Sequence, residues 1–377
     1  MIAITRRRLL GTGAFAASGL AIPGALRAAV DSTEGRPSLK DLARRKGIKF
    51  GTAVAAPQVL EPTDFTDLVE REVALIVPEN EMKWFEMSPA QGVVNYELPD
   101  RMVDFAQAEG IVFRGHCLVW YWRTPWWFQK LPTRAEAEAA LIDRVRSMTL
   151  RYAGRIDTWD VVNEAVEPKD GRADGLREAV FLKVLGPGYI DLAYHHAREC
   201  DPKAALVYND YDIEYDTPEH EAKRTAVLRF LERMKHDGVP LDRFGVQGHL
   251  TVGKMPFSET KFRRFLADVA GLGLHIMVTE LDVTDELAPG DIPRRDQLVA
   301  DEYSRFLAVA LDEKAVDTLI PWGLSDRYSW IVRHEHAKEK WRTDGLDGRP
   351  LPFDAALQPK PAWTAIAHAL DGAPSRS

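Results

Sequence analysis

Short apolar runs rich in β-branched residues recur along the chain at 48–54, 74–77, 111–119, 156–162, 204–209, 244–250, 274–281 and 318–324. Each is nearly continuous in apolar residues rather than alternating, which is the pattern of a strand buried on both faces. The longer stretches between them repeat apolar residues three and four positions apart, as at 134–151, 188–200, 218–237, 259–270, 293–312 and 361–370. That spacing lays one apolar stripe along a helix. Strand and helix therefore alternate eight times, which predicts the α/β class and a single closed parallel barrel of the (β/α)8, or TIM, type. An open doubly wound sheet would account for the same alternation, but no glycine-rich phosphate loop follows the first run. On this reading residues 39–371 form one domain. A flexible lead-in at 30–38, with Gly35 and Pro37, precedes it, and a tail at 372–377 follows.

The first 29 residues do not share the rhythm. Arg6-Arg7-Arg8 precede an apolar run rich in Gly and Ala that is interrupted by Pro23 and ends at Arg27-Ala28-Ala29. A membrane span needs about 20 strongly apolar residues, and this run is too weak and too broken for one. The pattern predicts an export signal of the twin-arginine type, cleaved near Ala28 or Ala29. Its removal takes away Arg6, Arg7, Arg8 and Arg27 and no acid, shifting the formal net charge from −8 to about −12. So acidic a balance argues against nucleic acid as a partner. The mature form is expected in the periplasm or the medium, off the membrane and monomeric. Cys117 and Cys200 are the only cysteines, too few for a disulfide framework, and both are expected as free thiols.

In a barrel of this type the working side chains stand at the C-terminal ends of the strands. Those ends carry Glu79-Asn80-Glu81-Met82-Lys83-Trp84, His116-Cys117-Leu118-Val119-Trp120, Asn163-Glu164, Asn209-Asp210-Tyr211, Gln247-Gly248-His249, Glu280-Leu281-Asp282, and Trp322 with Trp330 a turn later. Amides, carboxylates, lysine and histidine suit hydroxyl groups, and tryptophan offers a flat apolar face to a sugar ring. Apart from Cys117, which directly follows His116 in the chain, no Ser or Cys has a neighbouring His base, and neither a cofactor loop nor a metal-ligand spacing occurs, so no cofactor and no metal are expected. The chemistry then falls to carboxylates. Glu164 and Glu280 each close a strand-like run, and two carboxylates in a polar and aromatic cleft are what cleavage of a glycosidic bond requires.

From about Lys49 to Leu370 the chain resembles the glycoside hydrolase family 10 endo-β-1,4-xylanases. The likeness is carried by Pro78-Glu79-Asn80-Glu81-Met82-Lys83-Trp84, Arg114-Gly115-His116 with Leu118-Val119-Trp120, Trp159-Asp160-Val161-Val162-Asn163-Glu164, Gln247-Gly248-His249, Thr279-Glu280-Leu281-Asp282, and Trp322-Gly323 with Ser325-Asp326 and Ser329-Trp330. The resemblance implies a retaining hydrolase of xylan or xylo-oligosaccharides, with Glu164 as acid/base and Glu280 as nucleophile. It further implies that Asn163 and His116 meet the 2-hydroxyl of the sugar under attack and that Glu79, Asn80 and Lys83 meet the sugar beyond it. Trp120, Trp322 and Trp330 would wall these subsites, Tyr211 would stack on the leaving-group side, and Gln247 would complete the binding set. His249 would hold Glu280 ionised, with Asp282 either orienting that histidine or capping a helix.

Two departures stand out. Where the family usually reads Trp-His-Ser-Gln, this chain has Trp120-Tyr121-Trp122-Arg123. A guanidinium at Arg123 suits a carboxylate branch on the substrate, but it equally suits an acid of this chain or sugar hydroxyls. The charged segment 327–348 reads either as a solvated loop or as a lid. Two other readings remain open: a different retaining β-1,4-glycanase, and a carbohydrate-binding barrel without activity.

Overall fold

The computed structural model describes residues 35–376 apart from Lys254 and His334; the export signal expected over 1–29 lies outside them. Eight strands pair side by side in chain order: β1 (Lys49–Val54), β2 (Leu75–Pro78), β3 (Val112–Gly115), β4 (Thr158–Asn163), β5 (Ala205–Asp210), β6 (Arg243–Val246), β7 (His275–Thr284) and β8 (Val316–Pro321). All the pairings are parallel. β8 also pairs with β1, Lys49 opposite Thr318, so the sheet closes on itself as the expected (β/α)8 barrel.

The main helices between and after the strands are α1 (Asp64–Glu72), α2 (Glu97–Ala108), α3 (Arg134–Arg151), α4 (Tyr189–Cys200), α5 (Pro218–His236), α6 (Glu259–Gly271), α7 (Ile292–Ala310) and α8 (Pro361–Gly372). Five of them start on a Thr, Ser or Asp whose side chain accepts a backbone N–H of the first turn: Thr63, Thr133, Thr217, Ser258 and Asp291. Those N–H groups have no partner within the helix, and each such cap contributes about 1 kcal/mol. Among the described residues no helix is long and apolar enough to cross a membrane.

Side chains alternate along the strands. Phe50, Ile76, Trp159, Tyr208 and Phe244 pack in the large core that includes the helices. Ala53, Leu75, Val77, Val207, Met277 and Ile320 form a separate cluster within the ring, joined by Trp322 just beyond β8. A fully buried ion pair ties β3 to β4, Arg114 Nη2 standing 2.5 Å from Asp160 Oδ1. The other oxygen of Asp160 takes His116 Nδ1 at 2.7 Å. Removing one partner of such a buried pair leaves an uncompensated charge, at a cost of roughly 3–5 kcal/mol, so this carboxylate fixes the height of His116 in the barrel.

Two of the predicted runs are interrupted, and both breaks serve the strand ends. β3 stops at Gly115, where a Cβ would stand 2.2 Å from the Trp159 ring. The chain then resumes strand pairing with β4 only at Val119–Trp120. After β6 the run is broken by Gly248 at φ +81, a left-handed turn that favours glycine. Beyond it His249–Thr251 pairs with the far half of β7, His249 opposite Asp282, which is why β7 extends three residues past the predicted Leu281. The last residues are held as well: Arg376 donates to the carbonyls of Val316, Leu311 and Glu313. Cys117 and Cys200 are both buried and unpaired.

Candidate active site

The C-terminal strand ends surround an open cleft of about 360 Å³. All fourteen residues proposed from the sequence for catalysis and binding line it, together with Tyr121, Trp122 and Glu339. Glu164, just past the end of β4, and Glu280, on β7, face this space and are only 7% and 6% exposed.

The two carboxyl groups are held differently. Glu280 Oε1 accepts from Asn209 Nδ2 at 2.7 Å, and Oε2 is 3.2 Å from His249 Nε2. Behind the imidazole, His249 Nδ1 is 2.9 Å from Asp282 Oδ1, so Asp282 orients the histidine; of the two alternatives for this aspartate the helix cap is not the one found. Burial disfavours the imidazolium, but the charge and hydrogen bond of Asp282, with that of Glu280, push His249 up to about 10. Burial likewise opposes ionisation of Glu280. The hydrogen bond from His249 and the fields of His116, His249 and Arg114 outweigh it and hold the carboxyl at about 2.

Among the described residues no cation lies at hydrogen-bonding distance from the carboxyl oxygens of Glu164. Gln247 Nε2 and Asn163 Nδ2 donate to Oε1 at 2.9 and 3.1 Å, and Trp120 Nε1 donates to Oε2 at 2.8 Å. Burial is the largest influence and, with the Glu280 anion, raises the group to about 7 against the pull of Gln247 and Trp120. The pair is thus one carboxyl kept ionised and one kept protonated up to neutral pH, joined by a hydrogen-bonded chain in which Asn209 donates to both Asn163 and Glu280. Thr279 fixes the carboxamide of Asn209 by donating to its oxygen at 2.6 Å. Glu164 itself lies at φ +58, a left-handed conformation that costs a residue with a side chain on the order of 1–3 kcal/mol and persists only where its surroundings enforce it.

Around the pair, Lys83 Nζ donates to Asn80 Oδ1 at 3.0 Å and sits 5.0 Å from the Trp120 ring and 6.0 Å from that of Trp322. Glu79 is pushed up to about 7 by burial and by Glu81, which equips it to donate as well as accept. Arg123 Nη1 is 3.6 Å from Glu86 Oε1, and its Nε is buried without a partner. The described residues of the segment 327–348 are tied into the fold. Trp330 Nε1 donates to Asp282 Oδ2 at 2.7 Å and Arg342 to the Ala288 carbonyl at 3.0 Å, which makes the segment a wall of the cleft fastened to the end of β7. Asn209 was visible as a strand-end residue but not as the bridge between the carboxylates. Glu339 belongs to the charged segment 327–348 but has no motif of its own, and Arg177, which donates to the Glu164 carbonyl, returns from the segment after β4.

Residues 38–369 match the sequence model of the family described as Glycosyl hydrolase family 10. Endo-1,4-beta-xylanase B of Thermotoga neapolitana is 31% identical over 336 residues, which span 88% of this chain and 91% of the relative. The crystal structure of native xylanase 10B from Thermotoga maritima superposes with a TM-score of 0.78 at 32% identity, covering 89% of this chain and 98% of that one. Xylanase 10B from Thermotoga petrophila RKU-1, solved in complex with xylobiose, gives the same TM-score and identity and covers 89% of this chain and 97% of its own. A match this long, borne by a closed barrel with one buried glutamate just past β4 and another on β7, shows that the chain belongs to glycosyl hydrolase family 10.

Proposed function

We propose that this protein is an endo-1,4-β-xylanase that hydrolyses xylan and xylo-oligosaccharides with retention, acting as a monomer. The observation that carries the reading is the opposed wiring of the two carboxyls, Glu280 ionised between Asn209 and His249 and Glu164 protonated beside Gln247 and Trp120. In the first step an oxygen of Glu280 bonds to the anomeric carbon, the glycosidic C–O bond breaks, and the proton of Glu164 goes to the departing oxygen. The glycosyl ester removes the Glu280 charge, which lowers the affinity of Glu164 for a proton. Glu164 then takes a proton from water, whose oxygen displaces the ester and restores the starting state.

Asn163 and His116 meet the 2-hydroxyl at the point of attack, and Glu79, Asn80 and Lys83 bind the next sugar. Trp120, Trp322 and Trp330 wall these positions, Arg123 lies beside them, and Tyr211 stacks on the leaving-group side. Products from linear xylan, glucuronoxylan and carboxymethylcellulose test the reading. Short xylo-oligosaccharides from both xylans, released first as the β-anomer, are expected. Release only from carboxymethylcellulose would make the protein a glucanase of the same mechanism, and release from none would leave a binding barrel.

We also infer export by the twin-arginine route, on the basis of Arg6, Arg7 and the apolar run behind them. Residues 1–30 fused to a reporter that works only when folded before transport should deliver it to the periplasm. Arg6→Lys with Arg7→Lys should abolish delivery, and unchanged delivery would remove the twin-arginine assignment.

A further inference from the structure

Glu164 is bound at its backbone as well as at its carboxyl. Its N–H donates to the Asn209 carbonyl at 2.9 Å, which fixes one side of the left-handed residue to β5. Its carbonyl accepts from Arg177 Nε at 2.8 Å. Arg177 returns to this point because the chain after β4 folds back on itself. Val166 and Leu176 form an antiparallel bridge, and the Arg177 N–H donates to the Ala165 carbonyl at 2.7 Å.

The same guanidinium serves the cleft wall. Arg177 Nη2 donates to the Tyr211 hydroxyl at 2.9 Å and pairs with Glu167 Oε2 at 3.3 Å, and its carbon lies 4.3 Å from the Tyr121 ring centroid. Its side chain is 12% exposed. Edge and face of one planar cation are therefore both in use, which an ammonium group cannot reproduce.

We propose that Arg177 is a positioning residue: it sets the angle at which Glu164 presents its proton, and it joins Tyr121 and Tyr211 into one face on the leaving-group side. The inference rests on the role proposed above for Glu164. A strained backbone stays in place only while its neighbours hold it, and of the two groups that pin this peptide only Arg177 is a side chain that can be exchanged.

The test compares Arg177→Lys and Arg177→Met with wild type and Glu164→Ala on two substrates, a xylo-oligosaccharide and a dinitrophenyl β-xylobioside, whose phenolate leaves without a proton. Thermal unfolding of each variant is followed in parallel. On the xylo-oligosaccharide, kcat should fall about 10- to 100-fold in both arginine variants, part of the contribution of a general acid, with a rise in KM as the tyrosine face loosens. On the dinitrophenyl glycoside the pre-steady-state release of dinitrophenolate, which reports formation of the glycosyl-enzyme alone, should stay within about threefold of wild type. An equal loss on both substrates, or no loss on the oligosaccharide, in a variant that unfolds as wild type does would overturn the proposal. If Arg177→Met does not fold, the ratio of the two rates in Arg177→Lys decides. Wild type inactive on both substrates would instead refute the proposed function, and Glu164→Ala losing both activities equally would refute the acid assignment; either result also removes the basis for this inference.

Discussion

Glu280→Ala is expected to abolish hydrolysis of every substrate, by about 10⁴-fold or more, whatever the leaving group. The reason lies in what surrounds the carboxylate. Asn209 and His249 are aimed at its two oxygens, and Asp282 keeps His249 cationic, so the site is built around an anion that no neighbour replaces. Alanine leaves a space lined by those donors. Azide entering that space would attack the anomeric carbon from the side opposite the leaving group and give an α-glycosyl azide. Appearance of the β-azide from this variant, or residual hydrolysis with normal leaving-group dependence, would show that Glu280 is not the nucleophile.

Glu164→Ala should show a different deficit. Turnover of xylan falls about 10²- to 10⁴-fold, while aryl glycosides whose leaving groups need no proton are still cleaved to the glycosyl-enzyme. Azide then attacks that α-linked ester from the opposite face and yields the β-glycosyl azide. The pH profile supplies an independent check. Free Glu280 must be ionised and Glu164 protonated for kcat/KM to be high, and these groups titrate at about 2 and about 7. A carboxyl raised in this way extends the protonated, active form upward from its ordinary range. kcat/KM should therefore hold to near neutrality and fall about tenfold per pH unit above it. That alkaline limb should vanish in Glu164→Ala assayed on an activated aryl glycoside. A limb that persists there would assign the titration to another group.

Part of this arrangement is local in origin and part is not. The alternation of apolar runs and helical stripes determined the barrel, because a strand buried on both faces and a helix buried on one leave different periodicities in a short window. The barrel in turn gives the strand ends their meaning, and so marks Glu164, Glu280 and the side chains beside them as candidates. The breaks after β3 and β6 were not legible, since nothing in the immediate sequence shows that Trp159 lies over Gly115 or that Gly248 turns left-handed.

The protonation states were decided by tertiary structure alone. Glu164 and Glu280 are chemically the same residue at the ends of similar strands. What separates them by several pH units is that one meets Asn209 and a His249 backed by Asp282, and the other meets the amide of Gln247 and the indole of Trp120. Arg177, Glu339 and the bridge through Asn209 belong to the same category. Their partners are brought together only when the barrel closes, and the strength of a charge or a hydrogen bond depends on distances and burial that no stretch of sequence contains.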